Sequence, residues 1–240
     1  MMLDARRALL ACLTMLGACF ASAAGADVLE PFQASYAWFW HGAAVAVSTL
    51  RLEQQPDGDW RSVSSSEPRG LGLLYPMRPH LESLLRVGDH GVQPLRYRAT
   101  DGTSANQRGA DVTFDWDAGR ATGSYEGVKV DLALKNGVQD DLSIQIALLY
   151  ALRRGQVPAN LSTIDKNSIR DYSYRQEGTE TIDTRLGRVE TIIYASQHPG
   201  SPRITRFWCA PSKGFVPMRV QQKRIDDVEW TMQIESLQNR

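Results

Sequence analysis

Cysteine is almost missing from this chain: Cys12, Cys19 and Cys209 are the only three in 240 residues. Two of them lie within the first 20 residues. Once that leader is removed Cys209 stands alone, no internal disulfide can form, and the fold must rest on a packed core. An excess of charge of either sign is missing too, since 27 Lys and Arg balance 27 Asp and Glu. Removing residues 1–26 takes away Arg6, Arg7 and Asp4 and leaves one net negative charge. No basic field therefore points to nucleic acid or anionic lipid as a default partner. After the leader there is also no apolar run long enough to span a bilayer.

The familiar arrangements of catalysis and metal binding are equally scarce. No G-x-S-x-G nucleophile elbow occurs. The four histidines, His41, His80, His90 and His198, are widely spaced, without the short intervals of a metal site. Gly70-Leu71-Gly72 is not part of a G-x-G-x-x-G loop. "FDWDAG" (114–119) has only a fragment of a calcium loop, and Asp117 suits a hairpin turn better. Cys209, in "RFWCA", sits between apolar residues and reads as a buried, unreactive thiol. The expectation is a protein without catalytic residues, metal or cofactor.

What is present begins with a leader. Arg6 and Arg7 precede 13 largely apolar residues, "ALLACLTMLGACF", and then the small residues "ASAAGAD". This is the pattern of a signal peptide spanning 1–26, cleaved after Ala26 to release a periplasmic protein. "LGAC" at 16–19 offers an alternative, a lipoprotein anchored through Cys19.

The remaining 27–240 reads as short strands. "FQASYAWFWHG" places Tyr36, Trp38 and Trp40 on one face and Phe39 on the other. Val128, Val130, Leu132 and Leu134 alternate with Lys129, Asp131 and Ala133, as in a half-buried strand. Turns recur every 10–14 residues or so, which suits antiparallel pairing better than βαβ units. One segment breaks the pattern. "DDLSIQIALLYALRRG" (140–155) is apolar nearly all round at 100° per residue, as a buried helix is. Asp140 or Asp141 can cap its start, both acids oppose the positive end of the helix dipole, and Gly155 marks its stop. Adjacent aspartates splay apart, so a cap is favoured over an acid–base pair. The expected architecture is mainly β: a strongly curved antiparallel sheet, or incompletely closed β-barrel, wrapped around one central α-helix at about 141–154, in a single domain.

Two features suit ligand binding. "EPRGLGLLYPMRP" (67–79) is a loop too apolar to be solvated throughout, and Leu71, Leu74 and Tyr75 either line a ligand mouth or anchor the loop. Arg203 and Arg206, near Trp208, are cations that either meet an anionic head group or lie on a solvated outer face. The expected function is non-catalytic binding of a lipid, lipoprotein or other amphipathic ligand in the cell envelope. The alternative is a structural or assembly role through an envelope protein partner.

The order of the segments resembles the bacterial envelope family called domain of unknown function 3108. The likeness is carried by "ASYAWFWHGAAVAVSTLRL", "VQPLRYRATDG", "VTFDWDAGRATG", "GVQDDLSIQIALLYALR" and "RFWCAPSKGFVPMRVQQKR", over most of 32–224. The resemblance implies an exported, mainly antiparallel β protein with a central helix, and no particular chemistry. The leader provides the first test: the exported protein should have the intact mass of a chain beginning at Asp27. A mass retaining Cys19 with acyl chains would establish the anchored form instead.

Overall fold

The computed structural model describes residues 28–75 and 77–239. The leader, with Cys19 and Ala26, lies outside the described residues. Strands β1 (Phe32–Trp40), β2 (Ala43–Gln54), β3 (Trp60–Pro68) and β4 (His80–Gly88) are followed by β5 (Gly91–Thr100), β6 (Ala110–Asp115), β7 (Arg120–Tyr125) and β8 (Val128–Ala133). A two-residue strand β9 (Val138–Gln139) leads into helix α1 (Ser143–Arg153). Then come β10 (Asn160–Asp165), β11 (Ser168–Thr184), β12 (Gly187–Gln197), β13 (Arg203–Cys209), β14 (Pro217–Arg224) and β15 (Asp227–Asn239).

Alternation of buried and exposed residues makes these segments strands. Phe32, Ala34 and Tyr36 are buried on β1, and Ala110, Val112 and Phe114 on β6, with half-exposed or exposed residues between them. Tight turns join many of them. His41-Gly42 and Glu126-Gly127 each have φ > 0 at both residues, the geometry of the two-residue turns that match strand twist. The result is one 15-stranded sheet in the order 8-7-6-5-4-3-2-1-15-14-13-12-11-10-9. Two meanders therefore share a seam where the first strand pairs with the last, Phe32 opposite Asn239 and Trp40 opposite Trp230.

The sheet is open but strongly curled. Its two ends, β8 and the β9–β10 end, are not paired with each other, yet side chains cross between them. The Asp131 N–H donates to Asn167 Oδ1 at 2.9 Å, Lys135 Nζ lies 2.7 Å from Asp171, and Lys166 Nζ lies 3.3 Å from Glu126. Charges along the exposed edge also deter pairing with other chains.

Helix α1 joins β9 to β10, parallel neighbours at one end of the sheet, just after the chain has crossed there from β8 at the other end. Leu142, Ile146, Ala147 and Leu149 pack in a cluster that draws on both meanders, with Phe32, Leu52, Leu85, Val112, Met218 and Ile234 among its members. Leu148 and Leu152 pack in a second cluster with Tyr174, Tyr194 and Cys209. Apolar burial on two sides is what the sequence pattern implied. The helix is shorter than expected, Ser143–Arg153 against 141–154. At its end Gly155 has φ +70, the Gly155 N–H donates to Leu152 O, and the Gln156 N–H donates to Ala151 O, each at 2.9 Å. That pair of bonds is the Schellman stop. Arg153 Nε donates to Gly214 O at 2.9 Å and Nη1 to Val28 O at 3.1 Å, tying the helix end to two distant loops.

Replacing Leu149, 4% exposed, by Ala should lower unfolding free energy by about 2–5 kcal/mol. Denaturant titration measures this; an unchanged midpoint would remove the helix from the core.

Candidate functional site

The two aspartates at the helix mouth have different partners. Asp140 is 1% exposed. Its Oδ1 accepts the N–H groups of Leu142 at 2.8 Å and Ser143 at 2.7 Å, and its Oδ2 accepts the Ser83 hydroxyl at 2.6 Å. Ser143 Oγ accepts the Asp140 N–H in return, at 2.8 Å. The Ile144 N–H reaches Asp140 O at 3.2 Å, so hydrogen bonding starts the helix at Asp140, one turn before its regular span. This is a reciprocal cap with the acid first and the serine three residues later, the reverse of the common residue order.

Asp141 turns elsewhere. The residue is half-buried, but its carboxylate points inward, where Oδ2 accepts the Tyr97 hydroxyl at 3.2 Å and the Tyr125 hydroxyl. The two rings lie 6.2 Å apart. Ser83 and Tyr97 face each other across β4 and β5, with Ser62 next in the same row on β3. Small Ser62 and Ser83, both fully buried, form the part of the wall beside the helix mouth. Ser62 Oγ and Gln139 Oε1 are buried without a protein partner.

Burial dominates the electrostatics. It pushes the Asp140 carboxyl up to about 6, against the lowering effect of Ser83 and the backbone donors. It raises Asp141 as well, against its two tyrosine donors. The Tyr97 and Tyr125 hydroxyls are raised first by burial and then by the Asp141 charge. Chemically, the cluster holds a helix in place. Asp140 is enclosed by its donors, and neither acid is aimed at an open surface through a nucleophile or a second carboxylate. The Cys209 thiol is buried and raised by burial. Among the described residues no three of His, Cys, Asp and Glu gather closely enough to hold a metal ion.

The opposite end of the curl is different. Trp38, Trp40 and Tyr36 share a face of β1, and Trp38 and Trp40 lie opposite Met232 and Trp230 on β15. Tyr36 is buried, but Trp38, Trp230 and Met232 are half-buried, and Trp40 is exposed. Trp38 and Trp230 lie 5.2 Å apart. The Trp38 indole N–H donates to Ser48 Oγ at 2.7 Å, and that of Trp230 to Gln222 Oε1 at 3.1 Å. Gln222 in turn donates to Thr205 Oγ1 on β13 at 3.1 Å.

Leu71, Leu74 and Tyr75 stand at this same end. They belong to a 3₁₀ turn, Gly70–Leu74, with Tyr75 directly after it, braced across the start of β2. None of these side chains anchors the loop: each is well exposed. Glycine does the anchoring. A Cβ on Gly72 would lie 1.8 Å from Val45 O, and one on Gly70 2.5 Å from Ala44 O.

The three residues expected from β13 separate. Arg203 has the strand parity of Thr205 and Phe207, and its guanidinium pairs with Glu229 at 2.7 and 3.1 Å. Arg206 and Trp208 have the other parity. Arg206 pairs with Glu177 at 2.6 Å, while Trp208 is buried beneath Arg219 and donates to Glu180. Exposed Trp40 and Ile225 at the same end, and the tyrosines around Asp141, are further residues with no local signal in the sequence. The D-x-x-S spacing of Asp140 and Ser143 was such a signal.

Comparison with known proteins gives a family and a fold. The family model described as Protein of unknown function (DUF3108) matches residues 32–228. No curated protein matches. Among solved structures, the beta-barrel-like protein of domain of unknown function DUF1849 from Brucella abortus is similar, with a TM-score of 0.61 at 10% identity, over 88% of this chain and 98% of that one. MucB in the MucA/MucB complex of Pseudomonas aeruginosa has a TM-score of 0.38 at 11% identity, over 89% of this chain and 53% of that one.

The helix mouth makes a signed prediction. A carboxyl raised on folding favours the folded state below its unfolded value, and that benefit is lost as pH rises through about 6. Asp140→Asn keeps the capping oxygen and should lie within about 1 kcal/mol of wild type at neutral pH. Between pH 6 and 4 wild type should gain on that variant by up to about 3 kcal/mol. Asp140→Ala, which strands three donors, should cost at least about 3 kcal/mol. Denaturant melts across this pH range check both.

Proposed function

The chain belongs to the family described as Protein of unknown function (DUF3108), and from that starting point we propose that it is a non-catalytic binding protein of the cell envelope whose ligand is amphipathic and lipid-like. On this reading the sheet wraps the helix, the helix fills one end of the curl, and the ligand's apolar part enters the other. The observation that carries the reading is the contrast between the two ends. Asp140, Leu142, Ser143, Ser62, Ser83 and Tyr97 are buried at the helix mouth, whereas Trp38, Trp230, Met232 and Phe207, on the inward parity, stay half-buried.

Leu71, Leu74 and Tyr75 would close over the apolar part at the mouth. Arg203, at the start of β13, is the cation best placed for an anionic head group, once Glu229 yields it. Arg206 and Trp208, on the opposite face, would brace that strand. The leader expected at 1–26 supports an exported location.

A buried acyl chain contributes about 0.8 kcal/mol per methylene, so about ten methylenes could supply the roughly 8 kcal/mol of micromolar binding before ordering costs. An environment-sensitive fatty-acid probe, in vesicle-free solution, should bind the purified protein at micromolar concentration. Phe207→Ala and Leu74→Asp should each weaken it severalfold, and Arg203→Ala should weaken anionic probes more than neutral ones. A well-folded protein that ignores every such probe would favour the alternative, an assembly role through a protein partner.

A further inference from the structure

Six large apolar side chains stand in water at one end of the curl. Their exposures are 52% for Trp40, 59% for Leu71, 67% for Leu73, 77% for Leu74, 71% for Tyr75 and 75% for Ile225. They come from three separate segments: the β1–β2 turn, the 3₁₀ turn after β3 and the β14–β15 turn. Hydrogen bonds hold these segments at one level. The His41 N–H donates to Glu229 O at 3.2 Å, Arg69 N–H to Val45 O at 2.8 Å, and Ile225 N–H to Pro202 O at 3.1 Å. Gly70 and Gly72 allow the 3₁₀ turn to press on β2, so its leucines project from a braced support.

We propose that this rim docks onto the surface of a bilayer containing anionic lipids, with the leucine and isoleucine tips inserted and Trp40 and Tyr75 at the headgroup level. Exposed Leu and Ile together with Trp and Tyr is the composition that partitions into the interface. A bilayer accepts such projections without a complementary shape.

The local charge fits the same occupant although the chain as a whole is nearly neutral. Neither Trp40–Leu50 nor Arg69–His80 contains an acidic residue. The groups there that can carry positive charge are Arg69, Arg78, His41 and His80. Arg78 is paired with Glu67 and His41 lies 3.6 Å from Asp227. Beside Ile225, Arg224 lies opposite Asp227, and Lys223 and Asp226 are further charges of opposite sign. Anionic headgroups therefore add to binding whose main part is insertion. The docking does not depend on whether the interior holds a ligand.

Co-sedimentation with vesicles tests the proposal. The folded protein should pellet with vesicles containing phosphatidylglycerol and bind pure phosphatidylcholine severalfold less. Leu73→Asp combined with Ile225→Asp should weaken the binding at least tenfold, with far-UV circular dichroism and melting unchanged. Val157→Asp, at an exposed apolar residue in the loop after the helix, should leave it as in wild type. Protein that stays in solution, equal binding to both vesicle types, or a double variant that binds normally would overturn the proposal. So would a dimer in vesicle-free solution that the double variant dissolves, since the rim's occupant would then be a second copy. Vesicle binding without fatty-acid probe binding would sink only the ligand reading, and the reverse result would sink only the docking.

Discussion

Asp140 places a carboxyl where water does not reach, and such a group costs several kcal/mol unless its lone pairs are occupied. The occupants come from two regions. Leu142 and Ser143 supply backbone N–H groups from the start of the helix, and Ser83 supplies a hydroxyl from β4. The helix can begin only where Asp140 meets Ser83, which fixes its position along the sheet. Asp141 adds a second constraint by accepting from Tyr97 on β5 and Tyr125 at the end of β7. Three strands of the first meander, β4, β5 and β7, are thereby held to one level against the helix mouth. The apolar sides of the helix then join that meander to the second, through Leu149 in one cluster and Leu148 in the other.

The inward face of this curled sheet is closely packed around the helix and only partly covered at the other end. Around the helix, inward positions carry large apolar groups or small serines that make room for it. Beyond the helix mouth the inward face turns to tryptophan, serine, threonine and glutamine, only partly covered. The indole N–H groups of Trp38 and Trp230 are satisfied within the sheet, so their rings can face an apolar partner without leaving an unpaired donor. The same end carries the exposed leucine turn. Ligand binding and membrane docking are therefore proposed for the end that the core does not use, and the tightly packed end supplies the stability that such an open end lacks.

Much of this fold was legible because it follows short-range rules. Alternation identified β1 and β8, the all-round apolar pattern identified the helix, and Gly155 marked its end. The apolar neighbours of Cys209 marked a buried thiol, and it is buried beside Tyr194. What could not be read depends on pairing across the sheet. Nothing near Asp141 announces Tyr97, 44 residues away, as its donor. Arg203 and Arg206 looked like one cationic set, but strand parity puts them on opposite faces. Leu71, Leu73, Leu74 and Tyr75 could equally have anchored their loop. Whether an apolar side chain points in or out is decided by how closely Gly70 and Gly72 approach β2, and that approach is invisible until β2 and the turn are placed together.

Native-state hydrogen exchange at Leu142 and Ser143 bears most directly on the claim that buried carboxylates hold the helix in the sheet. Both amides donate to Asp140, so they should exchange only through global unfolding, as slowly as the amides of Ser83 and Tyr97 in β4 and β5. Fast exchange at Leu142 and Ser143 while β4 and β5 stay protected would contradict the account, because the helix mouth would then open independently of the sheet.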